Sequence, residues 1–210
     1  MATATYSEFL PHLLPWAVGC PDPTAINAVR NAAIEFCTRT KIWQETQDAE
    51  TISVGALPFE LSGPSGANVV QVLSCKVDGQ AIDAVTIDYL DASVSRWEDQ
   101  SGTPSNFFQP SLLELNFFPQ PTASISLRLR VAYAPSRSST TLDRAVFENY
   151  APTITAGALS ALLLIPEVPF GNPKLASFHQ ANFEAGVLAA QQVVSRSFTR
   201  SPSRTRPNPF

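Results

Sequence analysis

Charge is scarce in this chain. Acidic and basic residues together fill 15% of its 210 positions, against about 25% in an average soluble domain. A surface destined for subunit contacts leaves such a composition, and so does one large core. Histidine is scarcer still. His12 and His179 fall in different predicted helices without H-x-x-x-H or H-E-x-x-H spacing, so no metal site is expected. Cys20, Cys37 and Cys75 are odd in number and form no C-x-x-C pair, which argues against a disulfide framework and against zinc, and they read as small buried hydrophobes. No run reaches the roughly 18–20 apolar residues of a membrane span. The first basic residue is Arg30, so no secretory signal is expected and a cytosolic setting fits. G-x-S-x-G, G-x-G-x-x-G and the P-loop are all missing. The closest carboxylate pairs, Asp88 with Asp91 and Glu98 with Asp99, lie in a polar stretch where a solvated face is the simpler reading. Neither an enzyme nor a cofactor is expected.

What the chain does have is a helical hairpin over residues 142–194. The first helix, 142–165, ends in the nearly all-apolar AGALSALLLI. The second, 172–194, opens on Asn172-Pro173, an N-cap followed by proline at the first helical position. Pro166, Pro169 and Gly171 break the chain between them. On the second helix Ser177, Gln180, Glu184, Gln191 and Ser195 recur near the 3.6-residue period, and the rest is mostly Ala, Gly, Val, Leu and Phe. One polar stripe on an otherwise apolar helix implies cover on more than one side, by a partner subunit as well as the core.

Ahead of the hairpin, Tyr6–Val18 reads as a short helix interrupted by Pro11 and Pro15. Asp22-Pro23 opens a secure helix to Lys41, with Ile26, Val29, Ala33, Phe36 and Cys37 at helical spacing. The period then changes. Strands are expected over Thr46–Val54, Pro58–Leu61, Val69–Val77, Ala81–Ile87, Leu112–Phe118 and Ser124–Tyr133. Asp78-Gly79 predicts a tight hairpin with positive φ at both central positions. In the last strand Ile125, Leu127, Leu129, Val131 and Tyr133 alternate with Ser124, Ser126, Arg128 and Arg130, the pattern of an antiparallel sheet with one face buried and one wet. Between them Asp88–Phe108 reads as a short helix and an exposed loop through Pro104. Its Trp97 is either an interface anchor or a plug beneath the sheet. The predicted class is α+β: a helical bundle from 1–42 and 135–194, an inserted antiparallel β domain over 43–134, and an extended C-terminal arm over 195–210.

The arm, SRSFTRSPSRTRPNPF, holds Arg196, Arg200, Arg204 and Arg206 and no acid. With those four of the 14 basic residues set aside, ten face 18 acids, and the body carries −8. The arm cannot bury enough apolar surface to fold alone. Extended, it spans up to about 50 Å, far enough to reach another protein, where Phe198 and Phe210 could anchor and the arginines could pair with carboxylates. Two other functions suit parts of the chain. A nucleic-acid-binding accessory protein would use the arginine arm, although four arginines on an acidic body make a thin footprint. A carbohydrate-binding component would use the β module, whose wet face of Ser124, Ser126, Arg128 and Arg130 lacks the aromatics and carboxylates such a site wants.

The order of elements resembles that of head-to-tail connector or adaptor proteins of tailed bacteriophages, the group that includes the tail tubular protein A-like adaptors. The likeness rests on FLPHLLPWAVGCPDPTAINAVRNAAIEFCTRTKIWQET, on VVQVLSCKVDGQAI and SGTPSNFF, and on ITAGALSALLLIPEVPFGNPKLASFHQANFEAGV. It implies a virion protein at the head–tail junction, made in the host bacterial cytoplasm and not membrane-bound. Many copies, commonly twelve, would form a homo-oligomeric ring beneath the portal protein, around a channel that passes genomic DNA without reading its sequence. By the same resemblance the arm would bind the portal through Arg196, Phe198, Arg200, Arg204, Arg206 and Phe210. The β domain would face the tail nozzle, spike or fibre protein with loops that include Asp78, Gly79, Trp97, Asp99 and Pro104.

Overall fold

In chain order, the computed structural model, which describes residues 2–198, opens with strand β1 (Thr3–Thr5), a 3-10 turn (Tyr6–Phe9) and helices α1 (Leu10–Leu13) and α2 (Asp22–Thr40). Strands β2 (Trp43–Thr46), β3 (Glu50–Ile52), β4 (Phe59–Glu60), β5 (Ala67–Val77) and β6 (Gln80–Ala84) follow. Helix α3 (Ile87–Ser93) and a 3-10 turn (Trp97–Asp99) lead to β7 (Ser101–Gly102), β8 (Asn106–Ser111), β9 (Glu114–Phe118), β10 (Gln120–Pro121) and β11 (Ile125–Pro135). The chain ends in β12 (Thr141–Asp143), α4 (Arg144–Leu162) and α5 (Pro173–Ser195). It is a mixed α+β protein. Two compact units result, one made from the segments up to Trp43 and from Ala134 onward, the other from Gln44–Tyr133.

In the helical unit, β1 pairs antiparallel with β12, Ala4 opposite Leu142, and so fastens the start of the chain to the root of α4. Asp143 caps α4 by accepting the N–H groups of Ala145 and Val146. Arg144 donates to Glu8 at 2.7 Å and to Glu148 at 3.0 Å. The core beneath is aromatic: Phe9 meets Phe147 edge-on at 4.8 Å, and Phe36 lies 5.1 Å from Tyr150. The predicted helix over Tyr6–Val18 is only these two short pieces, because its prolines fix φ and withhold N–H donors, and Trp16 is half exposed rather than core. Helix α2 starts one residue earlier in its capping scheme than predicted, with Pro21 at the cap and Asp22 already helical.

Helices α2, α4 and α5 pack through small residues. A methyl group added to Gly157 of α4 would sit 2.8 Å from the Phe183 ring of α5 and 3.2 Å from the Cβ of Ala32 in α2. A methyl group at Gly186 of α5 would meet the Thr153 side chain of α4 more closely still. These two glycines leave room for the side chains of the facing helices.

The β unit is a mainly antiparallel sheet in the order β2-β11-β5-β6-β8-β9-β4, with β3 also on β11. Asp78 (φ 49°) and Gly79 (φ 81°) adopt the positive φ the β5–β6 hairpin requires. The expectation of a purely antiparallel module is corrected at two pairs: β6 and β8 run parallel, Ala84 opposite Phe107, as do β10 and β7. A parallel pair needs a crossover, and the segment carrying α3 and the Trp97 turn supplies it. Helix α3 also shortens the strand predicted to Ile87, since Thr86 caps it through the Tyr89 N–H. The stretch read as a short helix and exposed loop, 88–108, ends inside β8, whose alternation is lost because Phe107 and Phe108 are both buried. Pro104 is buried too, and the residues after it join the sheet when the Ser105 N–H donates to the Phe118 carbonyl. The strand predicted over Thr46–Val54 is broken after Thr46 and resumes as β3. In β11 the alternation runs from Ile125 to Val131, after which Ala132, Tyr133 and Ala134 are all buried. Cys20, Cys37 and Cys75 are free and buried, as read from the sequence, and burial pushes the Cys37 and Cys75 thiols up to about 12.

Gly157→Val, which forces side-chain volume against the fully buried Phe183, is expected to lower unfolding free energy by about 2–3 kcal/mol. A denaturant midpoint measured against the parent checks it; an unchanged midpoint would mean that the three-helix crossing is loosely packed.

Candidate functional site

Helix α5 presents three faces with different chemistry. Ala176, His179, Phe183, Val187 and Ala190 form the stripe buried on α4 and α2. Along one flank lie the polar residues singled out in the sequence, and they are not simply solvated. Arg39 of α2 holds the Glu184 carboxylate with both guanidinium nitrogens, one at 2.9 Å. Gln180 donates to Glu184 at 3.0 Å, and Gln191 donates to the Arg39 carbonyl at 3.0 Å. Opposite the buried stripe, the helical period brings Phe178, Ala181, Ala185, Leu188 and Ala189 to the surface. Phe178 is 55% exposed and Leu188 59%. Between Lys174 and Arg196 the only charged side chain of α5 is Glu184, so this outer face is uncharged and mostly apolar, with the polar Gln192 at its end.

Next to it is a groove of about 560 Å³ between α1, α4 and α5, with Trp16 and Phe178 at its edge. His12 and His179, far apart in sequence and placed on separate elements, both line it, as do Thr155 and Asn182. His179 lies between the Trp16 and Phe178 rings, 5.2 and 5.4 Å away. Burial holds its pKa below the ordinary 6.5, and its Nε2 has no hydrogen-bond partner, nor does the Thr155 Oγ1. No spacing in the sequence announced this grouping. Among the described residues no set of three His, Cys, Asp or Glu side chains gathers to hold a metal.

In the β unit Asp78 is occupied structurally. Its carboxylate accepts the Ser126 N–H at 2.8 Å while its own N–H donates to the Ser126 carbonyl, which locks the hairpin turn to β11. Asp99 pairs with Arg96 at 2.8 Å on the surface. Trp97 lies half-buried against the sheet, edge-on to Phe108 at 5.3 Å and to Phe118 at 6.4 Å, its indole N–H on Asp91 at 2.7 Å. It flanks a groove of about 890 Å³ whose walls include Phe108, Phe117, Pro58, Pro110 and Pro121. Glu98 is the only charged residue lining that groove. Trp97 and Asp99 therefore share one 3-10 turn, while Asp78 and Gly79 form the separate β5–β6 hairpin turn.

Of the arm residues, Arg196 caps the C-terminus of α5 and Phe198, 52% exposed, donates its N–H back to the Val193 carbonyl. Arg200, Arg204, Arg206 and Phe210 lie outside the described residues. Among the described residues no helix is long and apolar enough to cross a membrane.

Uncharged apolar surface on a helical hairpin, beside a groove lined by orphaned polar atoms, is the surface of a chain made to meet other protein. The class is an assembly component. A model of the SU10 adaptor protein family matches residues 4–207, so the chain belongs to that family of phage head–tail adaptors. Its role is accordingly that of a structural adaptor and virion component. The curated proteins contain no match to it.

The hydrogen bonds from Arg39, and its charge, hold the Glu184 carboxylate below its ordinary value of 4.5. A carboxylate depressed in the folded state contributes stability that is full above the unfolded value and is lost as pH falls through the folded one. Between about pH 5 and pH 3 the parent should therefore lose stability faster than Glu184→Gln. Denaturant midpoints taken across that range for both proteins test it; parallel curves would show that the Arg39–Glu184 contact contributes nothing.

Proposed function

We propose that copies of this chain, twelve in number, assemble into a ring beneath the portal of a phage virion and join head to tail around a channel through which DNA passes. In this reading the helical unit forms the ring wall, the β unit faces the next tail component, and the arm after Ser195 fastens the ring to the portal. The observation that supports it most is the outer face of α5. Phe178, Leu188 and the alanines between them are exposed in the single chain, and an apolar uncharged patch of this kind marks a protein interface. The position of Arg196 and Phe198 at the very end of the hairpin supports the role of the arm, because it places the arginine-bearing segment directly after the wall helix. A wall with seven acids and seven basic residues among its described positions is close to neutral, which suits a channel that holds no DNA by charge.

Placing a charge in the outer face, Leu188→Glu, should leave the fold intact and prevent copies from associating on portal rings. Sedimentation or native mass of the mixture reads this directly, and a variant that still forms rings of the parent mass would remove α5 from the wall. Deleting residues 195–210 should abolish portal binding without changing the melting of the rest. A truncated chain that joins portal-filled heads with parental affinity would sink the tether.

A further inference from the structure

The two units differ in charge as well as fold. Residues 44–133 hold eleven acids against Lys76, Arg96, Arg128 and Arg130, a net charge of −7, whereas the described helical unit is balanced. The net negative charge of the described residues is therefore carried by the β unit, and no Lys or Arg lines the groove beside Trp97. Glu98, at the edge of that groove, makes no side-chain ion pair or hydrogen bond among the described residues.

We propose that this groove beside Trp97 receives an extended segment of a partner protein that carries proline together with arginine or lysine. The proposal rests on the adaptor reading, since it names the chemistry of what the β unit grips. Three observations fit it. First, the walls are aromatic rings and prolines, the lining that holds an extended proline-bearing chain without demanding side-chain pockets. Second, Trp97 is fixed before any partner arrives. Its indole N–H is bonded to Asp91 and its ring is set edge-on against Phe108 and Phe118. A preset half-exposed tryptophan is the best aromatic surface for a cation, and its immobility lowers the entropy cost of binding. Third, charge complementarity selects the sign. Glu98 offers an unpaired carboxylate, and the surrounding −7 draws in a basic segment while repelling phosphates. Nucleic acid is thereby disfavoured as the occupant.

The test titrates the full chain with a synthetic peptide of alternating arginine and proline, with its glutamate–proline counterpart, and with a peptide of residues 195–210, each followed by calorimetry. The arginine–proline peptide should bind saturably and weaken as salt rises, and the glutamate peptide should not bind. Trp97→Ala should weaken binding by about tenfold or more. Glu98→Lys, a change at an exposed side chain that nothing in the fold uses, should weaken it by a similar factor even if the tryptophan variant fails to fold. Equal binding of the two charge-opposed peptides, or parental affinity in Glu98→Lys, would overturn the proposal. So would tighter binding of the 195–210 peptide, which would make the chain's own arm the occupant. Repeating the titration on Leu188→Glu separates the two readings. Peptide binding there in the absence of rings keeps the groove when the ring fails, and rings without peptide binding do the reverse.

Discussion

The close packing of three helices at Gly157 sets the terms for the helical unit. With Phe183 and Ala32 already at contact distance from where a Cβ would stand, α4 must be small on that side, and Gly186 meets Thr153 under the same constraint on the other helix. Small residues at a crossing bring large ones into register around it. Phe183, Val187, Leu159 and Ile154 are all buried as a result. A hairpin packed this tightly on one stripe has little apolar surface left over for its own core. Phe178, Ala181, Ala185, Leu188 and Ala189 stay outside, although nothing about them is polar. The low-charge composition, which fits either subunit contacts or a large core, is thus divided: part of its apolar surface packs within the chain, and part is exposed at the α5 surface.

Charge follows a matching logic. In the helical unit Arg39 and Arg144 each serve two carboxylates, and Arg39 also lies over the Phe183 ring. Those arginines join elements distant in sequence, α2 to α5 and α4 to the turn after β1. Partly exposed pairs of this kind add little energy individually, so their main contribution is to fix which helix faces which. The β unit spends few of its acids this way. Arg96 pairs with Asp99 at its surface, and most of its carboxylates remain as field rather than as bonds.

Periodic segments were readable in the sequence. Helices α2, α4 and α5 fall within a few residues of their predicted limits, Asn172 caps α5 as expected, and the Asp78-Gly79 turn has the backbone its residues demand. What failed did so where neighbours decide. β8 carries two consecutive buried phenylalanines because both of its faces are covered, one by Trp97, so no alternation survives to mark it as a strand. The polar stripe of α5 was visible, but its partner Arg39 lies far off in the chain, and a stripe that hydrogen-bonds another helix has the same period as one that faces water. The meeting of His12 with His179 in one groove had no local signal at all. Trp97, open to two readings in the sequence, both packs under the sheet and flanks a groove.

The unsatisfied atoms sharpen what kind of surface the hairpin offers. A buried imidazole nitrogen and a buried threonine hydroxyl without partners cost on the order of 1–3 kcal/mol each in an isolated chain. In the helical unit both sit at a groove that also carries the exposed Trp16 and Phe178. Such a cost is tolerable where the single chain is not the working state. A neighbour that covers Trp16 and Phe178 while presenting one donor or acceptor to His179 would recover both the apolar area and the hydrogen bond. The neutral form of the histidine, favoured by burial, can accept at one nitrogen and donate at the other, so it can match either kind of group. That versatility suits a joint closed by protein side chains, in which the fit of neutral surfaces rather than the pairing of charges decides what binds.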